Sequence, residues 1–162
     1  LISFGHKKIA YLGDSPEIYT AQERYAGYEK ALKSAKIPLN KKLIFQDFYS
    51  EEEAIAVVRE ILVGKDAPTA FFTSQNLLTL AVLKVLKAEG LEKKIALVGF
   101  DDLPTAELLT PGVTLVTQNI SEIGRRSIEK LFQRINGESS GYSTEVIPTL
   151  LIPRGSGEIS PS

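Results

Sequence analysis

Short apolar runs alternating with amphipathic helical stretches limit the folding of this chain more than any other feature. A strand followed by a helix and a second strand rejoins its sheet in parallel, through a crossover. Ile9-Ala10-Tyr11-Leu12-Gly13 reads as a buried strand ended by glycine. A helix follows from about Thr20, with Tyr25, Tyr28, Leu32 and Ala35 at helical spacing. Lys42 to Phe45 reads as a second strand. Ser50-Glu51-Glu52-Glu53 has the form of a capping box, with the Ser50 hydroxyl accepting from the Glu53 amide and the Glu53 carboxylate reaching back. The helix it opens runs through Ile55, Val58, Ile61 and Leu62 and stops near Gly64.

The pattern then repeats. Thr69 to Thr73 is a third strand, and the next helix starts near Asn76 and ends at Gly90. Ile95 to Phe100 is a fourth strand that runs straight into Asp101-Asp102, and a short helical turn from Pro104 to Leu109 leads to Pro111. Thr114 to Thr117 is a fifth strand. Ile120, Ile123, Ile128, Leu131 and Ile135 mark a helix that Asn119 is placed to cap and Gly137 to close. Ser139-Ser140-Gly141 reads as a loop and Glu145 to Ile152 as a last strand; from Gly155 the periodicity ends and the tail is expected to fray. Right-handed crossovers put helices on both faces of such a sheet. The expected fold is therefore α/β, a three-layer αβα doubly wound arrangement around a mainly parallel sheet.

Composition narrows the function. The chain has 162 residues and is 43% hydrophobic, enough for one sizeable core. Its 19 basic and 20 acidic residues leave a net charge of -1, so no electrostatic footprint for nucleic acid exists. No apolar run approaches the ~20 residues of a spanning helix, and no membrane partner is expected. The absence of cysteine excludes disulfides and thiolate metal sites. His6 is the single histidine and reads as part of an N-terminal tail, which leaves no nucleophile–histidine pair and no histidine metal cluster. Neither glycine-rich phosphate-loop pattern is present. No metal and no cofactor is expected. Asp101-Asp102 alone is a weak magnesium signal.

In open parallel sheets, ligands bind beyond the carboxyl ends of the strands. Asp101 follows the most hydrophobic strand, where its carboxylate could accept from ligand hydroxyls or, with Asp102, cap the turn at Pro104. Thr20 and Arg24 share a helix face; the Arg24 fork suits carboxylates, phosphates or vicinal hydroxyls, and pairing with Glu23 or Glu29 is its plainer role. Phe48, after the second strand, could stack on a sugar or base or anchor its loop. Gln75 is free to point outward if Asn76 caps the helix. Gln118 ends the fifth strand as a weaker candidate.

Several of these segments resemble one family. Gly5-His6-Lys7-Lys8-Ile9-Ala10-Tyr11-Leu12 is similar to the G-H-x-x-I-A-x-L stretch of LacI/GalR-type bacterial transcriptional regulators. Arg24-Tyr25-Ala26-Gly27-Tyr28 with Ala31-Leu32 resembles their R-x-x-G-[FYW]…A-L helix, and Pro68-Thr69-Ala70-Phe71-Phe72 their P-T-A-[IV]-[FL]. Val98-Gly99-Phe100-Asp101-Asp102 matches V-G-[FY]-D-[DN]. Pro111 to Gln118 with Ile123-Gly124, and Leu151 to Ser156, resemble their two closing motifs. The resemblance implies a periplasmic-binding-protein-like lobe of a homodimeric, cytoplasmic repressor that closes on a sugar, sugar acid or purine. It implies that Thr20, Arg24, Phe48, Gln75 and Asp101 line the effector cleft, with Gln118 close by.

The family pattern departs at Gln75-Asn76, where Asn-Asp is usual, and at Ala81, where glycine is usual. The resemblance also implies a domain plan. Residues 1–118 form the C-terminal effector-binding lobe, and 119–137 a helical excursion belonging to an N-terminal lobe missing here. Residues 138–154 are the return strand, and 155–162 the tail. On that plan the chain is a piece of a longer protein that reaches operator DNA only through a missing headpiece. Two other readings are a transporter's periplasmic or extracellular sugar-binding protein, which shares the fold, and an enzyme of the phosphotransfer or hydrolytic α/β type.

Overall fold

The computed structural model describes residues 1–137 and 141–161. Ten elements follow in order: β1 (Ile9–Leu12), α1 (Tyr19–Ser34), β2 (Ile44–Phe45), α2 (Glu51–Val63), β3 (Ala70–Thr73), α3 (Asn76–Ala88), β4 (Ala96–Phe100), β5 (Thr114–Thr117), α4 (Ile120–Ile135) and β6 (Leu150–Ile152). The strands make one sheet in the order β2-β1-β3-β4-β5-β6. All neighbours are parallel except β6, which runs antiparallel to β5. The expected α/β fold with a mainly parallel sheet is what forms.

Side-chain alternation divides the core. In β1, Ala10 and Leu12 join Phe71, Leu97 and Leu115 beneath α2 and α3, with Val58, Val82 and Val85 from those helices. Ile9 and Tyr11 face the other way and pack with Ala70, Ala96, Tyr28 and Leu32 beneath α1. Both faces of the central strands are thus dry, which explains why those strands read as continuous apolar runs.

Local chemistry sets the helix boundaries. Three glutamates fill the first turn of α2, where the helix dipole favours negative charge. Ser50 Oγ accepts from the Glu53 amide at 3.2 Å, as the capping box requires. The returning Glu53 carboxylate accepts from the Tyr49 amide at 2.8 Å, one residue before the position expected. Asn119 caps α4 by accepting from the Glu122 amide at 3.0 Å.

Five expectations need correction. The second strand shrinks to Ile44–Phe45, because Lys41–Leu43 forms a 3-10 turn that Asn40 caps. The last strand shrinks to Leu150–Ile152. Asn76 is not a cap: it is the first residue of α3, and Gln75 takes the capping position with no side-chain bond, its side chain being too long to fold back. His6 is fully buried rather than part of a tail. The C-terminal tail does not fray, because Ser156 is buried and four hydrogen bonds tie it down. Its amide donates to Gly112 O and its carbonyl accepts from the Leu97 amide, both at 3.0 Å. Its hydroxyl donates to Leu97 O at 2.6 Å and accepts from the Thr114 amide at 2.9 Å. Of the expected Ser139-Ser140-Gly141 loop, residues 139 and 140 lie outside the described residues, as does Ser162 of the tail.

His6 ties the two ends of the chain together. Its Nε2 donates to the Ile159 carbonyl at 2.6 Å, so Nδ1 is the acceptor for the Thr69 hydroxyl at 2.9 Å. Burial lowers its pKa, against the opposing pull of the Ile159 carbonyl.

Helix α4 is the exception to the packing. None of its residues is buried, and Ile120 and Ile135 are 77% and 67% exposed. Its other side is ionic, with Glu122 bonded to both Arg125 and Arg126, which hold its carboxyl down at about 2. Glu145 bridges Arg126 and Lys130 from the returning chain.

Two outcomes follow for stability. Ser156→Ala leaves the Thr114 amide buried and unpaired, and should destabilise the fold by about 1–3 kcal/mol in denaturant melts. As pH falls below about 6.5, the unfolded chain takes up the His6 proton before the folded one does, so stability is full above that value and declines below it. Melts at pH 7.5 and 5.5 should show a smaller pH difference for His6→Asn than for the wild type.

Candidate functional site

The strand order reverses between β1 and β3, since β1 connects outward to β2 and β3 continues the other way. A crevice opens at such a switch point beyond the carboxyl ends of the strands. Gly13-Asp14 leave β1 there, Ser74-Gln75 leave β3 and Asp101 leaves β4.

Arg24 spans these ends from α1. Its Nη1 donates to the Ser74 carbonyl at 2.8 Å, and its guanidinium lies 4.1 Å above the Phe100 ring centroid. The stacking contributes about 0.5–2 kcal/mol, depending on how dry the contact is. Pairing with Glu23 or Glu29, the plainer role, is not found among the described residues. Guanidinium has five donors, so Arg24 is held in place with others still free.

Asp101 adopts a left-handed backbone, φ 69°, which aspartate tolerates better than most residues. Its amide donates to the Val116 carbonyl at 2.9 Å, and its Oδ1 accepts from Gln118 Nε2 at 2.6 Å. Gln118 therefore orients the carboxylate. Asp102 does something else: its Oδ1 caps the Leu103 amide at 3.0 Å and meets Arg154 Nη1 at 3.2 Å. It secures the loop.

The structure unites some candidates and separates others. Asp101 and Gln118 are bonded to each other, while Arg24 reaches the Ser74 carbonyl, next to Gln75, and the Phe100 ring, next to Asp101. Thr20 stands exposed one turn before Arg24. Phe48 is half-buried against the α2–α3 core and keeps part of its surface open. Three participants were overlooked in the sequence. Ser74 gives its carbonyl to Arg24 and its hydroxyl to the Asp14 amide at 3.3 Å. Asp14 follows β1 just as Asp101 follows β4, so the same strand-end rule points to it. Phe100 looked like ordinary strand filling. Among the described residues, no cluster of three metal-binding side chains occurs and no helix is long and apolar enough to cross a membrane.

A family model described as a periplasmic binding protein-like domain matches residues 1–157. The chain belongs to that family. The ribose operon repressor of Haemophilus influenzae is 30% identical over 155 residues, covering 94% of this chain and 47% of that protein. The HTH-type transcriptional repressor PurR of Histophilus somni is also 30% identical over 155 residues, covering 94% and 46%. The chain thus spans about half the length of the curated relatives it matches. A LacI-family regulatory protein from Chloroflexus aggregans superposes with a TM-score of 0.88 at 28% identity, over 96% of this chain and 57% of the other. The transcriptional regulator CelR, in complex with cellobiose, gives 0.87 at 33% identity, over 97% and 49%. The recognised resemblance to LacI-type regulators is therefore upheld by both sequence and fold.

Gly13 packs closely against Tyr11. A Cβ there would lie 2.3 Å from Cε1 of Tyr11, inside van der Waals contact with a buried ring. Gly13→Ala should therefore cost about 1–3 kcal/mol, read as a lower midpoint in urea melts.

Proposed function

We propose that this chain is the effector-binding lobe of a LacI-type transcriptional repressor. The observation that carries this reading is the constellation at the switch point. Arg24 is pinned across two strand ends with spare donors, and Asp101 is oriented by Gln118 with a free carboxylate oxygen. Such a pair suits a small polyhydroxylated or heterocyclic ligand, with acceptors for Arg24 and hydroxyl or N–H donors for Asp101. Thr20, Phe48 and Gln75 complete the effector-binding set. Sugars, sugar acids and purines form the effector class, in keeping with the ribose, purine and cellobiose names among the relatives.

The mechanism is a population shift. Effector binds better between closed lobes, and the closed dimer differs from the open one in its grip on operator DNA. DNA contact belongs to a headpiece outside this chain, and the site of action is the bacterial cytoplasm. The exposed apolar stripe of α4 supports the view that residues 119–137 belong to the other lobe and cover that stripe there, while residues 138–154 return to this one. No catalytic group is needed for binding, and the protein is not an enzyme. The named relatives are regulators, which favours this reading over a transporter's binding protein.

The test uses the full-length protein. A thermal-shift panel of D-ribose, cellobiose, sugar acids, sugar phosphates and hypoxanthine identifies the ligand, and calorimetry measures it. Arg24→Ala and Asp101→Ala should each weaken binding by about 10- to 100-fold, the loss expected for a charged hydrogen bond. Wild-type affinity in both variants would remove the site from consideration.

A further inference from the structure

The two faces of the sheet are covered unequally. Two helices, α2 and α3, lie on one face and α1 on the other, while α4 buries none of its residues. A helix is about 10 Å across and strands lie about 4.8 Å apart, so α1 can cover only about two strands. Beside it a groove of about 470 Å³ stays open. Phe72, Val98 and Leu151 line it from the sheet, Gly157 and Glu158 from the tail, and Gly27 and Ala31 from α1. Leu151 is left 55% exposed there. Gly27 and Ala31 stand one turn apart and exposed, and a Cβ on Gly27 would meet nothing within 4 Å.

The chain enters this groove with the end of a helix. Leu1, Ile2 and Phe4 line it. The Gly5 amide donates to the Ile2 carbonyl at 3.0 Å and the His6 amide to the Leu1 carbonyl at 3.4 Å, with Gly5 left-handed at φ 100°. That pair of bonds around a left-handed glycine is the Schellman motif, which closes an α-helix. Only its last turn, Ile2–Phe4, is present, so the body of such a helix lies ahead of Leu1. The turn leads into β1 at its amino end, so the helix runs back toward the carboxyl ends of the strands, where Arg24 also lines the groove.

We propose that the groove beside α1 is the seat of a helix formed by the residues immediately ahead of Leu1, with an apolar face laid on β3 and β4. The five residues of β4 extend about 16 Å, a length that about eleven helical residues match. This rests on the effector-lobe reading in one respect, that chain precedes Leu1; the relatives it matches are about twice its length. Gly27 and Ala31 let the two helix backbones approach closely, and the seated helix braces α1 one turn from Arg24.

The experiment uses the full-length protein, without ligand, as wild type and Gly27→Leu. Leucine is a far better helix former than glycine, so over an open groove Gly27→Leu would raise the melting temperature. Against a seated helix the added bulk must push it away, and the melting temperature should fall by about 2–8 °C. In hydrogen–deuterium exchange, the residues immediately ahead of Leu1 should exchange as slowly as α1 in wild type and faster in Gly27→Leu. A melting temperature that holds or rises overturns the inference. Fast exchange ahead of Leu1 in wild type also overturns it; if Gly27→Leu still destabilises, the groove belongs to another occupant such as a second copy. A lower melting temperature with unchanged exchange ahead of Leu1 places the strain inside the lobe and overturns it too. Neither readout involves effector, so failure here leaves the calorimetric test of Arg24 and Asp101 untouched.

Discussion

A parallel sheet needs cover on both faces, and the rest of this structure follows from that requirement. Its crossovers supply α1 to one face and the α2–α3 pair to the other, burying residues on both sides of β1, β3 and β4. With both faces dry, the polar chemistry of the central strands has only the strand ends to occupy. The reversal of strand order between β1 and β3 then opens a crevice at one of those ends. Folding and site-building are in this sense one process.

Arg24 shows how the packing becomes a site. It lies on the same helix as Tyr28 and Leu32, which anchor α1 to the sheet. That anchoring lays its guanidinium across Phe100 and against the Ser74 carbonyl. The opposite wall is built separately, through Gln118 and the left-handed backbone of Asp101. The Asp102–Arg154 contact holds the loop behind Asp101 from the tail side.

The tail serves the fold more than its composition suggests. Ser156 stitches the beginnings of β4 and β5 together. Glu158 Oε2 accepts from both the Thr114 hydroxyl and the Gly155 amide. His6 then fastens the amino end to Ile159. The sheet is closed by its termini, whereas α4 buries none of its residues and leaves its apolar stripe exposed.

Local pattern made much of this legible in the sequence. Local pattern placed six strands and four helices, and Ser50 and Asn119 announced two helix starts, because periodicity and capping act over a few residues. The strand-end rule singled out Asp101 and Gln118, which bond to each other. It could not supply the Ser74 carbonyl or the Phe100 ring, since a backbone acceptor and a buried aromatic look alike in any strand. Nor could it show that a stretch without periodicity, Gly155 to Pro161, packs down, or that Asn76 lies inside its helix. By itself the sequence determined the order of elements and the kinds of side chain at each strand end. Only the tertiary structure decided which ends meet, because contacts such as Ser156 with Leu97 or Arg24 with Ser74 join residues far apart in the chain, and local propensity carries no information about them.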